Sequence, residues 1–186
     1  MKKEDNIYPV LARQAILSFL NTRKVMSLPD RVPDEVKKKK AGVFVSLHKK
    51  NGELRGCIGT FLPTKENIGL EVIENAINAG FKDPRFFPLI IEEIDGLEIS
   101  VDVLEKPEKI GSNLSGEEIG KVTRRLDEQK YGVIISTKNG KRGLLLPDIE
   151  GVDSVEKQIE IAREKAGIED REKIDIERFK VERFKE

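Results

Sequence analysis

Residues 42–61 read "GVFVSLHKKNGELRGCIGTF". Two runs rich in β-branched and aromatic residues flank Asn51-Gly52. Asn-Gly between alternating hydrophobics is the strongest short-range hairpin signal, because a two-residue turn needs positive φ at its central residues. Such a turn pairs Lys50 with Glu53, His48 with Arg55, Ser46 with Cys57 and Phe44 with Gly59. Alternation then puts Val43, Val45, Leu47 and Ile58 on the core face. Phe44, Ser46, His48, Arg55 and Cys57 share the opposite face, and a one-residue slip would separate them.

The pattern recurs. Residues 131–146, "YGVIISTKNGKRGLLL", form a second β-rich pair around Asn139-Gly140. Residues 66–80 and 152–166 each follow a hairpin and carry apolar residues at helical spacing. Gly80 and Gly167 stand where glycine C-caps belong. Residues 96–105 and 174–184 alternate as half-buried strands. Details also match: Ser46 answers Ser136, Arg55-Gly56 answers Arg142-Gly143, and Ala79-Gly80 answers Ala166-Gly167. The predicted fold is α+β and mostly antiparallel, built from two ββαβ units sharing a core. One domain spans 1–186, with residues 1–40 and 107–130 packed outside as a small lobe. A helix over 9–21 and a Pro-punctuated surface connection over 27–40 complete the reading.

Composition limits the function. The 34 basic and 34 acidic residues balance, so no global field attracts nucleic acid or an anionic membrane. Lys37–Lys40 reads as a solvated loop; a nucleic-acid patch is the alternative, without interleaved aromatics for base stacking. The single cysteine, Cys57, excludes an internal disulfide and suggests a reducing compartment. The polar opening does not read as a signal peptide, and no apolar run is long enough to span a membrane. A soluble cytoplasmic protein is expected.

Three readings of Cys57 stay open. It is a nucleophile favoured by Arg55 and by His48, the only histidine. Or Arg55, Ser46 and the backbone freed by Gly56 and Gly59 bind a small anionic ligand without chemistry. Or Cys57 is a small buried hydrophobe, its glycines admitting a close neighbour. One Cys and one His fall short of the ligands zinc needs, so no metal is assigned. No phosphate loop or dinucleotide motif is present, so no cofactor is evident. In "FKDPRFFP" (81–88), Asp83 and Arg85 either cap a loop pinned by phenylalanines or reach the rim of a pocket beside the 54–59 strand.

"LRGCIGTF" (54–61) and "DPRFFPL" (83–89), in this order, resemble the hallmark motifs of the AMME chromosomal region gene 1 family. "EISVDVLEKPEKI" (98–110), "GLLLP" (143–147) and the terminal "FKVERF" extend the resemblance to residues 10–184. It implies an α+β fold, with the motifs on Leu54–Gly59 and Asp83–Phe86. In many prokaryotes such proteins are grouped with relatives of the Memo family and of radical S-adenosylmethionine enzymes, which implies a shared pathway. Bacterial relatives often carry Gln and a Trp-bearing stretch after the Leu-Leu-Pro block; here it is "LLPDIEGVDSVE". The function expected is binding of a small ligand, or catalysis, in a groove at the 54–59 strand. The alternatives are a cysteine-nucleophile enzyme and a protein- or RNA-interaction module without catalysis.

Overall fold

Both Asn-Gly sequences make hairpins, each with one more loop residue than expected. In the computed structural model, which describes residues 7–186, β1 (Val43–Lys49) returns as β2 (Leu54–Thr60). The Gly52 amide donates to the Lys49 carbonyl (2.8 Å), and the Lys49 amide to the Glu53 carbonyl (2.8 Å). Only Gly52 is left-handed (φ 85°), at no steric cost because it has no Cβ. Asn51 contributes its side chain instead, Oδ1 accepting from the Glu53 amide (3.0 Å). β5 (Gly132–Ser136) and β6 (Arg142–Leu145) repeat this loop, with Gly140 at φ 86°.

The extra loop residue shifts the predicted register by one. In the first hairpin a β-bulge shifts it back. Leu47 lies opposite Gly56 and His48 opposite Leu54, so Arg55 is the unpaired residue. Ser46 therefore still faces Cys57, and Phe44 faces Gly59. The predicted His48–Arg55 and Lys50–Glu53 pairs do not form.

The strand after each helix returns beside the hairpin's first strand. One sheet runs β2-β1-β3-β8, with β3 at Leu97–Leu104 and β8 at Val181–Lys185. The other runs β4-β7-β5-β6, with β4 at Glu108–Leu114 and β7 at Ile174–Phe179. The two ββαβ units are therefore present with the same strand order. The predicted single strand over 174–184 is two strands, interrupted at Lys180 and joining different sheets. Period-two alternation continues across that break and cannot reveal it.

The chain divides into two compact units, residues through Leu104 with Glu182–Glu186, and Glu105–Val181. Each encloses its own apolar cluster. In the first, Val43, Val45, Leu47, Ile99 and Val101 pack with α1 (Ile7–Thr22) and α3 (Ile68–Phe81). In the second, Val133, Ile135, Ile174 and Ile176 pack with Ile159 and Ala162 of α5 (Val155–Ala166). Each large aliphatic side chain removed from water contributes roughly 1.5–3 kcal/mol. The segments expected outside the units divide between them. α1 and the short α2 (Asp34–Lys38) lie in the first; β4 and α4 (Glu117–Thr123) lie in the second. Residues 1–6, the polar opening, lie outside the described residues.

Helix ends follow local chemistry. Asn67 caps α3, its side chain accepting from the Leu70 amide (3.0 Å), and Ser154 caps α5 through the Lys157 amide (3.3 Å). Gly167 ends α5 at φ 62°, as predicted. Gly80 is not a cap: it lies inside α3, where a Cβ would press on the Leu89 side chain.

Candidate functional site

The bulge decides what surrounds Cys57. Ser46 lies opposite Cys57 on one side and opposite Ser100 of β3 on the other. Cys57, Ser46 and Ser100 thus form a row of small polar side chains across three strands, away from the core face. Phe44 and Asp102 flank this row on one side, and His48 and Glu98 on the other. The Ser46 hydroxyl donates to the Cys57 sulfur (3.2 Å). Burial pushes the Cys57 thiol up, and the Ser46 hydrogen bond and the nearby Arg85 charge offset this only partly. Cys57 is therefore a thiol at neutral pH.

The 83–86 loop meets this strand. The Cys57 amide donates to Asp83 Oδ2 (2.9 Å). Arg85 binds the same carboxylate through Nε to Oδ1 (2.9 Å) and Nη2 to Oδ2 (2.7 Å). Its backbone amide also donates to Oδ1 (3.1 Å), and Nη2 reaches the Cys57 carbonyl (3.3 Å). The Arg85 guanidinium, then these amide donors, hold the Asp83 carboxyl down at about 2 against the opposing effect of its burial. The Asp83 side chain is 2% exposed while that of Arg85 is 55% exposed. A buried anion thus orients a cation whose outer edge faces solvent. Asp83 caps its own turn, and Arg85 stands beside the 54–59 strand.

Other predicted residues do different work. Arg55, the bulge residue, is buried and turns to Glu93, with Nε to Oε1 (2.7 Å) and Nη2 to Oε2 (2.9 Å). It also donates to the Phe87 carbonyl (3.0 Å). Arg55 braces the 86–93 segment through Nε and Nη2, while its buried Nη1 has no hydrogen-bond partner. Gly56 gives close approach: a Cβ there would collide with the Ala79 carbonyl oxygen of α3. Gly59 lets the Phe44 ring lie across the strand. At both positions the missing Cβ admits a close neighbour, as the buried-hydrophobe reading of this strand expects. His48 stays on the Cys57 face, but no hydrogen bond joins the two. Burial, then Arg183 and Lys185, lower its pKa, so the imidazole is neutral.

Ser100, Asp102 and Arg183 are absent from the sequence reading. Asp102 is buried and bound by Arg183 through Nε (2.7 Å) and Nη2 (2.9 Å). The alternation of "EISVDV" already put Glu98, Ser100 and Asp102 on one face. The missing step was knowing that β3 pairs with β1. Two cavities, of about 300 and 270 Å³, lie elsewhere, and neither is lined by Cys57, Arg55 or Arg85. Cys57 lies on the face of its sheet away from the helices. Among the described residues no three His, Cys, Asp or Glu side chains gather as a metal shell.

Comparison with known proteins now bears on these residues. Residues 9–184 match the AMMECR1 family. The chain belongs to that family. A Thermotoga maritima AMMECR1 relative is 46% identical over 179 residues, which cover 96% of this chain and 97% of that protein. A Clostridium acetobutylicum relative is 47% identical over all of this chain, which spans only 37% of that longer protein. The crystal structure of an uncharacterised Pyrococcus horikoshii protein superposes with TM-score 0.89 at 31% identity, covering 100% of this chain and 93% of that one. Segments 54–59 and 83–86 both lie within the matched region and are joined by the Asp83–Cys57 hydrogen bond. No described helix is long and apolar enough to cross a membrane.

Proposed function

We propose that this AMMECR1 chain binds a small anionic ligand on the Cys57–Ser46–Ser100 row, with Arg85 as the charged contact and without attack by Cys57. The observation that carries the reading is the Asp83–Arg85 pair: a buried carboxylate fixes a half-exposed guanidinium beside a row of small hydrogen-bonding side chains. Small side chains between the larger Phe44 and His48 leave room for a ligand on the sheet face. Planar guanidinium groups suit carboxylate and phosphate oxygens.

The cysteine-nucleophile alternative has less support. Burial disfavours the thiolate, Arg55 is committed to Glu93, and His48 makes no hydrogen bond to the sulfur. The RNA-interaction alternative is also weaker, because Lys37 donates to the Asp30 carbonyl and Lys38 pairs with Asp34.

Alkylation of the native protein tests the proposal. Iodoacetate, an anion, and iodoacetamide, its neutral analogue, report on charge at Cys57. Relative to a free thiol, native Cys57 should react slowly at pH 7 with iodoacetamide and show a relative gain for iodoacetate. Arg85→Ala should abolish that gain. A Cys57 that outpaces free cysteine toward iodoacetamide would restore the nucleophile reading. An unchanged reagent ratio in the variant would remove Arg85 from the site.

A further inference from the structure

The second unit contains a cavity of about 270 Å³ between α4 and α5, near the lower end of ligand-pocket sizes. Positions 116, 119, 120 and 123 line one wall; positions 156, 159, 160 and 163 line the other. Each set is one helical stripe. Ile119 and Ile159 make the apolar part. Gly120 holds the space open. It sits inside α4, where glycine is the poorest helix former short of proline. A Cβ at Gly120 would meet nothing within 4 Å, so no close packing demands it.

Arg163 lines the same cavity and is 8% exposed. Its Nη2 donates to the Glu169 and Glu172 carbonyls (2.6 and 3.3 Å), and its buried Nε has no partner. Other buried charges are matched. Arg55 has Glu93, Asp83 has Arg85, and Asp102 has Arg183. Glu71 accepts four hydrogen bonds from Thr60, Thr64 and Lys65. Among the described residues, Arg163 is the buried cation without a carboxylate at ion-pair distance; the Glu172 carboxylate lies near enough to feel its charge but is hydrogen-bonded to Lys141 and the Glu169 amide. A buried charge so placed favours an anionic partner. Glu156, Glu160 and Asp170 also border the cavity but are exposed, so solvent screens them.

We propose that the α4–α5 cavity binds a small amphipathic anion, its apolar body against Ile119 and Ile159 and its carboxylate or equivalent group on Arg163. This site is separate from the Cys57 face and does not depend on it.

Amide spectra of the intact chain titrated with octanoate, and separately with octylammonium, test it. Octanoate should shift the Gly116 and Gly120 amides saturably. It should bind about tenfold more tightly than octylammonium, the scale of one charge-assisted hydrogen bond. Arg163→Gln should erase the preference and Arg163→Lys should keep it. Gly120→Leu, which leaves Arg163 in place, should block binding without lowering Tm, and it serves as the test if Arg163→Gln fails to fold. Equal or tighter octylammonium binding, no octanoate shift, or a shift that survives Gly120→Leu would each overturn the proposal.

Discussion

The two hairpins share a loop, a strand order and a glycine under a helix, yet one residue along they differ completely. Gly56–Leu47–Ile99 in the first unit corresponds to Gly143–Ile135–Ile176 in the second. In both, a helix backbone passes over the glycine, at Ala79 of α3 and at Ala162 of α5. The neighbouring row is Cys57–Ser46–Ser100 in the first unit and Leu144–Ile134–Glu177 in the second. The glycine row is architecture, because both copies need it to bring a helix onto the sheet. The polar row and the Arg55 bulge belong to one copy, so they are where a role specific to the first unit resides.

The sharpest way to break this comparison is to crowd the shared glycines. Gly56→Ala and Gly143→Ala each drive a Cβ into a helix carbonyl, and each should cost about 3 kcal/mol in urea unfolding. A cost below about 1 kcal/mol at either would show that its helix can move away.

Arginine substitutions should separate the copies. Arg55→Met strands Glu93 and removes a brace, costing about 2–3 kcal/mol, somewhat less than for a fully buried pair. Arg142→Met, whose pair with Glu177 is partly exposed, should cost less than about 1 kcal/mol. Equal costs would erase the distinction. Deleting Arg55 equalises the residue counts of the two hairpins. Nuclear Overhauser contacts between Leu47 and Gly56 should survive that deletion.

Acid sharpens the part unique to the first unit. The folded Asp83 carboxyl titrates near 2, below its ordinary 3.8, so its ionised form stabilises the fold. That contribution is full above about pH 4 and is lost as pH falls through about 2. Asp83→Asn should therefore be less stable than the parent at neutral pH, with the gap closing between pH 4 and 2. A gap that stays constant across this range would contradict the assigned role.

The smallest effect is expected at Ser46. Ser46→Ala removes the hydroxyl that favours the thiolate, so alkylation of Cys57 should slow by about two- to tenfold at constant pH. A faster rate would mean that Ser46 shields the sulfur.

Much of the site was legible because β alternation and the Asn-Gly signals are local. The Ser46–Cys57 pairing came out correctly through two compensating departures, a three-residue loop and a bulge. Neither has a distinct sequence signature here, since "NGELRG" and "NGKRG" differ by one residue and insertion anywhere would look the same. The internal matching was right in kind and displaced in detail. By strand register Ser46 corresponds to Ile134, not Ser136. Ala79 lies over its glycine as Ala162 does, not as Ala166-Gly167 suggested. Arg55 looked like a partner for Cys57 because only the bulge turns it to Glu93, 38 positions away.

From sequence alone came the first helix, the two hairpins, the helix and strand after each, and the repeated ββαβ plan, because turn chemistry and hydrophobic period act over a few residues. Tertiary structure alone decided that residues 174–184 split between two sheets, that Ser100 completes the Cys57 row, and that Asp83 ties two motifs together. Those facts depend on which distant strands and loops meet, and nothing in a local pattern encodes that choice. Burial is equally non-local, and it keeps the Cys57 sulfur a thiol.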